Sequence, residues 1–199
     1  VANSIFIYGA SGHGIVVADI ALACGYDDIT FIDDGNNPHP SFNDIQNDKH
    51  IPIALGIGDN KVRSKLFYKI KESGFTVMTL IHPSTILSPT AKIGEGTVVM
   101  PNVVINAKAS VGNGVILNTG CIIEHECRIE DFVHISPNAA LAGNVQVDEL
   151  THIGLGTNVI QNITIGKNVL IGAGSVVIRH IPSDVTAVGN PTKIIKGTS

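Results

Sequence analysis

Every sixth residue from Leu87 onward is aliphatic: Leu87, Ile93, Val99 and so on to Ile171 and Val177, sixteen positions without a slip. The residues four further on, from Ala91 to Ser175, are small or β-branched, and glycine often follows the aliphatic residue, as in Ile153-Gly154 and Ile171-Gly172. A helix repeats every 3.6 residues and a flat strand every two, so neither explains a period of six. The pattern predicts a coiled β-solenoid in which each hexad is a short strand and a turn, with one bulky and one small residue pointing inward. Three hexads per coil stack residues 18 apart; sixteen hexads then give a little over five coils, roughly 25 Å of prism at a strand spacing of about 4.8 Å.

The chain before the repeat has another rhythm. Ile5–Tyr8 reads as a buried strand, followed by the glycine-rich turn Gly9-Ala10-Ser11-Gly12-His13-Gly14 and an apolar helix over Ile15–Cys24. A second strand, Ile29–Ile32, ends on Asp33-Asp34, and residues 35–48 form a polar loop. A third strand, Ile51–Leu55, leads through Gly56-Ile57-Gly58 to a helix capped by Asp59 or Asn60, running to about Ser73 and stopped by Gly74. Val77–Ile81 reads as a fourth strand, ended by His82-Pro83. This order predicts a small parallel α/β, Rossmann-like domain over residues 1–84. A β-helix domain over residues 85–199 follows, closing on a short tail with a turn at Val188-Gly189-Asn190-Pro191.

Two regions carry candidate chemistry. The glycine turn between a first strand and a helix exposes backbone N–H groups at a helix N-terminus, which suits a phosphate. Its order, G-x-x-G-x-G, is not the dinucleotide order, so it favours some other phosphate-bearing ligand over NAD. Asp33 and Asp34 fall where an acidic residue would meet a ribose or base; the bland alternative is a tight turn beside two solvated acids. On the solenoid, Glu124-His125-Glu126 sets a histidine between two carboxylates, the arrangement of a general base with an orienting acid. Neighbours on a straight strand face opposite ways, so Glu126 reaches the His125 ring only across a corner, and Glu124 remains the competing partner. His134 and His152 are 18 apart and share one face, whereas His125 lies half a coil from His134, so those two would meet only across a subunit boundary. Gly143, 18 residues on, is expected directly over His125.

Composition narrows this further. A net charge of −4 with scattered basic residues argues against a nucleic-acid partner. Three cysteines, with Cys121 and Cys127 at inward positions, read as reduced core thiols in a cytoplasmic protein. No apolar stretch is long enough to span a bilayer, the start lacks a basic n-region, and Val1 is an unusual first residue, so residues upstream of it are an expectation. Zinc, as in the trimeric hexapeptide-repeat carbonic anhydrases, needs a His pair a few residues apart that spacings of 9 and 18 do not supply; no metal is expected.

The hexads, the GASGHG turn, Asp33-Asp34, Leu80-Ile81-His82-Pro83, the run from Val103 to Cys127 and Ala142-Gly143-Asn144 together resemble the PglD-type sugar N-acetyltransferases of the left-handed β-helix acyltransferases, with the NeuD-type sialic acid O-acetyltransferases as near relatives. The resemblance covers nearly the whole chain. It implies acetyl-CoA as co-substrate, with His125 as catalytic base and Glu126 as the carboxylate that raises its basicity; for such a transfer Gly143 over His125 would leave room for the acyl group and offer an N–H to the oxyanion. Ser11, Gly12, His13, Asp33, Asp34 and Gly58 would hold a UDP-sugar, and His134, Leu155 and Ala173 would touch acetyl-CoA. Leu155 and Ala173 depart from the isoleucine and glycine expected there, and the 35–48 loop departs in sequence, which puts sugar specificity in question. The expected acceptor is the C4 amine of UDP-4-amino-4,6-dideoxy-N-acetylglucosamine, on the way to bacillosamine, and the expected assembly is a homotrimer with sites between subunits. O-acetylation of a sialic acid and a non-catalytic nucleotide-sugar scaffold are the alternatives.

Overall fold

The computed structural model describes residues 3–197; Val1, Ala2, Thr198 and Ser199, on which the expected domain ranges begin and end, lie outside the described residues. Strands β1 (Ser4–Tyr8), β2 (Asp28–Ile32) and β3 (Ile53–Leu55) form a parallel sheet in the order β2-β1-β3, with helices α1 (Gly12–Ala23) and α2 (Asn60–Glu72) in the crossovers. Alternation along β1 sends Ile5 and Ile7 to one face and Phe6 and Tyr8 to the other. The first face packs with Val17 and Ile20 of α1, the second with Phe67 and Ile70 of α2. The N-cap of α2 is Asp59, whose side chain accepts the Val62 N–H at 2.8 Å. The loop over residues 35–48 is less polar in space than in sequence: Phe42 and Ile45 are buried, with the Phe42 ring stacked on Tyr8.

The expected fourth strand is divided. Val77 makes a single parallel bridge to Ile53, while Leu80–Ile81 pairs with Val98–Val99 as the first rung of a solenoid sheet. The parallel β-helix therefore starts one hexad earlier than the repeat beginning at Leu87. Its two-residue strands stack into three sheets, and a hairpin of Val185–Val188 with Lys193–Gly197 extends the one that starts at Leu80. The bulky hexad positions are buried from Val99 to Val177. Leu87, 40% exposed, and the half-buried Ile93 are the exceptions, because their strands end their sheets and no coil lies beneath them.

The corners explain the period. Every sixth residue from Gly96 to Gly174 is left-handed, with φ between 53° and 68°. Most are Gly or Asn, which tolerate this conformation; Lys108, Glu126, Phe132 and Leu150 do not do so readily. Phe132 and Leu150 join the cluster around α2, so burial offsets their backbone cost.

Each sheet has its own outer face. The sheet starting at Leu80 presents Leu80, Val98 and Ile116, all buried against α1 and β1, and then His134, His152 and Leu170 above them. The sheet starting at Ile86 presents Ile86, Val104, Ile122, Ala140, Asn158 and Val176, with Ile86 and Ile122 exposed and Asn158 the one polar position. The sheet starting at Lys92 presents Lys92, Ser110, Arg128, Gln146 and Thr164. One face is thus covered by the α/β part, one is apolar and open, and one is polar. No described helix is long and apolar enough to cross a membrane.

Candidate active site

His125 sits at the corner between the Ile86 and Lys92 sheets, and the corner decides its partner. With Glu126 at φ 60°, the chain turns so that Glu126 Oε2 comes within 3.2 Å of His125 Nδ1. Glu124 instead accepts the His125 backbone N–H at 3.2 Å. Both side chains of the His125–Glu126 pair are more than half exposed. Donation from Nδ1–H to Glu126 leaves the lone pair on Nε2.

Gly143 lies over His125 as the 18-residue stack requires, but the space is not vacant. A Cβ on Gly143 would fall 2.5 Å from His125 Cε1 and 2.6 Å from Nε2. The missing side chain makes room for the imidazole rather than for an acyl group, which corrects that expectation. Glycine seats the ring, and the stack is locked by Asn144 N–H donating to His125 O at 2.9 Å.

The second group of residues lies where the α/β part meets the solenoid. Ser11 is the N-cap of α1 in extended conformation and makes no side-chain capping bond. Gly12 and Gly58 face open space, whereas Gly14 and Gly56 have backbone packed where a side chain would stand. The glycine turn therefore divides its labour: Gly14 lets α1 close on the sheet, and Gly12 leaves the helix N-terminus accessible. Asp33 is tied into this turn, accepting Gly35 N–H at 2.8 Å, Ala10 N–H at 3.1 Å and Asn37 at 2.9 Å. The Gly35 and then the Ala10 N–H hold its carboxyl below the usual range. Asp34 accepts Tyr8 OH at 2.5 Å, Lys69 at 2.8 Å and Phe42 N–H at 2.8 Å. Both acids thus shape the loop, with their remaining lone pairs the only ones open to a ligand.

His13, on the first turn of α1, lies 6.4 Å from His134 between ring centroids, and His134 stacks on His152 at 4.5 Å and 7°. Asn118 donates to His134 Nε2 at 3.1 Å, and Ser136 Oγ meets His152 Nε2 at 2.8 Å. Burial above all pushes His13 down to about 4 and His134 to about 2; burial, then Arg63, lowers His152. His13 Nε2 is buried without a hydrogen-bond partner among the described residues, an uncommon state that a ligand would relieve, whereas His134 Nδ1 lies beside the Gly58 backbone without a bond of good geometry. Leu155, 55% exposed, and Ala173 one coil above it sit at the next corner, between the Leu80 and Ile86 sheets. His125 occupies the far edge of the open apolar face and Leu155 with Ala173 the near edge. The sequence-derived residues therefore form two groups, not one.

Arg63 escaped the sequence reading. It is 1% exposed and bonds carbonyls of both parts of the chain. The available signal was its place in the spacing Arg63, Phe67, Ile70, the buried stripe of α2. Cys121 and Cys127 are buried, and burial pushes the Cys121 thiol up to about 12, a poor nucleophile. Among the described residues no group of three His, Cys, Asp or Glu converges as metal ligands.

The sequence profile described as the PglD N-terminal domain matches residues 4–70. The UDP-N-acetylbacillosamine N-acetyltransferase of Bacillus subtilis (strain 168) is 40% identical over 111 residues, 48% of this chain and 50% of that protein, so the matched segment spans half of that relative. Solved structures match further. PerB of Caulobacter crescentus, in complex with CoA and GDP-perosamine, is 36% identical with TM-score 0.92, covering 96% of this chain and 97% of its own. The acetyltransferase domain of PglB from Neisseria gonorrhoeae FA1090, in complex with acetyl coenzyme A, is 37% identical with TM-score 0.91, covering 98% and 100%. The chain belongs to the PglD-type family of sugar N-acetyltransferases.

Proposed function

We propose that the protein transfers the acetyl group of acetyl-CoA to an amino sugar carried on a nucleotide, the acceptor being the C4 amine of UDP-4-amino-4,6-dideoxy-N-acetylglucosamine. The observation that carries this is the His125–Glu126 corner pair seated on Gly143. A sugar-nucleotide binder alone has no use for a base held in one tautomer at a solvent-facing corner. Transfer is direct. The neutral amine attacks the thioester carbonyl, the C–N bond forms, and His125 Nε2 takes the amine proton. Collapse of the tetrahedral intermediate breaks the C–S bond, and the proton passes to the departing CoA thiolate. The Gly143 N–H, beside the imidazole, serves the oxyanion. Glu126 orients the ring and stabilises the imidazolium. Ser11, Gly12, His13 and Gly58 hold the nucleotide sugar, with Asp33 and Asp34 at the base end. The acetyl-CoA thioester lies against His134, and its chain runs along Leu155 and Ala173.

The open apolar face between the two groups of residues supports a closed ring of three chains, in which the His125 corner of one prism meets the Leu155 corner of the next. Ile122 and Ile160 are both exposed there, beside a groove of about 380 Å³ lined in part by Glu124 and Ala142. Acetyl-CoA and nucleotide sugars are cytoplasmic metabolites, and three free cysteines suit that compartment.

A guanine-nucleotide acceptor is the second reading, favoured by the structural relatives bound to GDP-perosamine. CoA-thiol release measured across UDP- and GDP-linked amino sugars, with a free hydroxy-sugar as a third arm, separates these readings. Release with the UDP-4-amino sugar and none with the hydroxy-sugar is expected. Release that needs only the hydroxy-sugar would replace N-acetylation by O-acetylation, and none with any acceptor would leave a scaffold.

A further inference from the structure

The least explained group in the molecule is the guanidinium of Arg63. It stands at the head of the buried stripe of α2, where an apolar residue is expected, and is 1% exposed. Among the described residues no carboxylate pairs with it by hydrogen bond. Its five N–H donors are instead spent on neutral oxygens: Nε on Gly114 O at 2.6 Å, Nη1 on Ile57 O at 3.1 Å and Gly58 O at 3.0 Å, and Nη2 on Asn60 Oδ1 at 2.7 Å and Phe132 O at 2.9 Å, with Val133 O at 3.4 Å. Burying a charge this way is costly, and an apolar side chain would close the same interface more cheaply. What the guanidinium adds is a planar fork of fixed geometry.

The acceptors show what the fork aligns. Gly114 and Phe132 are 18 apart, the same corner on consecutive coils, and Val133 immediately precedes His134. Ile57 and Gly58 form the turn after β3, on the nucleotide side. The Gly58 backbone is also the polar group beside the His134 ring. One side chain therefore grips the turn that carries Gly58 and the strand that carries His134.

We infer that Arg63 is a positioning residue for acetyl transfer, holding the Gly58 turn and the His134 rung at a fixed separation so that the nucleotide sugar, bound on the α/β part, meets the thioester on the solenoid. The inference rests on the acetyl-transfer reading above. A methionine could fill the volume and leave the fold, but five carbonyls would lose their donor and the two halves their register. Its charge has a second effect. Arg63 faces His13 from α1 and His134 and His152 from the solenoid, with Asp59 and Lys61 exposed beside it. After burial, it helps keep His13 and His152 neutral, and with His152 it does so for His134. Neutral imidazoles can exchange hydrogen bonds with a sugar or a thioester carbonyl without repelling an amine that arrives as its ammonium.

The test compares Arg63→Met and Arg63→Lys with the wild type in steady-state kinetics for both substrates, beside thermal melts and NMR titration of the imidazoles. Arg63→Met is expected to lower kcat by ~10²-fold, the cost of misplacing reacting groups by about 1 Å. It is also expected to raise the KM for the nucleotide sugar far more than that for acetyl-CoA, and to move His13 and His134 titration upward. Arg63→Lys keeps the charge and loses the fork, so its histidines stay neutral while the nucleotide-sugar KM still rises. Should Arg63→Met fail to fold, the Lys variant carries the kinetic test. Wild-type kinetics in a folded Arg63→Met, or full kinetic rescue by Arg63→Lys, would overturn the positioning role. A wild-type enzyme that releases no CoA with any amino sugar would overturn the transfer reading and this role with it.

Discussion

Replacing Gly143 by alanine tests the base through its seat. The new Cβ would lie 2.5 Å from His125 Cε1, against the roughly 3.5 Å that carbon atoms keep. The ring must therefore retreat by about 1 Å, and it can, because it is exposed and at the end of a side chain. The fold has little to lose: φ at Gly143 is not left-handed, and the coil above and below keeps its ladder bonds. Stability is expected to change by less than about 1 kcal/mol. The Nδ1–Glu126 contact at 3.2 Å and the approach of Nε2 to an amine do not survive such a shift. A displacement of about 1 Å predicts a kcat loss of order 10²-fold. The assay is CoA-thiol release at saturating acceptor, with a thermal melt on the same preparation. Adding His125→Ala to Gly143→Ala should cost less than His125→Ala alone, since both disable one group. A folded Gly143→Ala with wild-type kcat would show that His125 does not act from the position it occupies here.

Other expectations follow from named contacts. Glu126→Gln keeps the corner but loses the charge that favours the imidazolium; kcat should fall roughly 10-fold or more, less than for His125→Ala, as read by thiol release. Ile122→Arg places a charge on the open apolar face, so light scattering should show smaller particles and turnover should fall together. The carboxyl of Asp33, held low by the Gly35 and Ala10 N–H groups, stabilises the fold above its unfolded value near 3.9, and this is lost as pH falls through the lower folded value. Urea unfolding of Asp33→Asn should therefore show lower stability at pH 7 and a shallower acid limb. His13 and His134 are also depressed in the fold, to about 4 and about 2. Their contribution is full above about 6.5 and is lost as pH falls towards those lower values. His134→Asn should flatten the loss of stability between pH 6.5 and 4 in the same urea series.

The β-helix was legible because its code is written on every rung, in the aliphatic and small positions that the prism buries. The same arithmetic extends one hexad further back: Ile81 lies six before Leu87, and Leu80 lies 18 before Val98, its partner. An apolar run such as Val77–Ile81 fits either sheet, so only its phase assigns it. The position of Gly143 over His125 was legible for the same reason. What filled the space was not, since spacing fixes a backbone and not where a ring turns. Glu124 and Glu126 could not be separated until the left-handed corner was seen, because on a straight strand neighbours diverge. Arg63 was opaque for another reason: apart from the Asn60 side-chain oxygen, its acceptors, from Ile57 to Val133, are backbone carbonyls, and any residue type supplies those.

The central claim is that His125 takes the proton of an amine during acetyl transfer. Its most direct test is sugar-dependent CoA release from acetyl-CoA with the UDP-4-amino sugar, wild type against His125→Ala, at saturating concentrations of both substrates. A loss of ~10²–10⁴-fold in kcat with acetyl-CoA binding retained is the predicted result. Turnover in His125→Ala within a few-fold of wild type would contradict it.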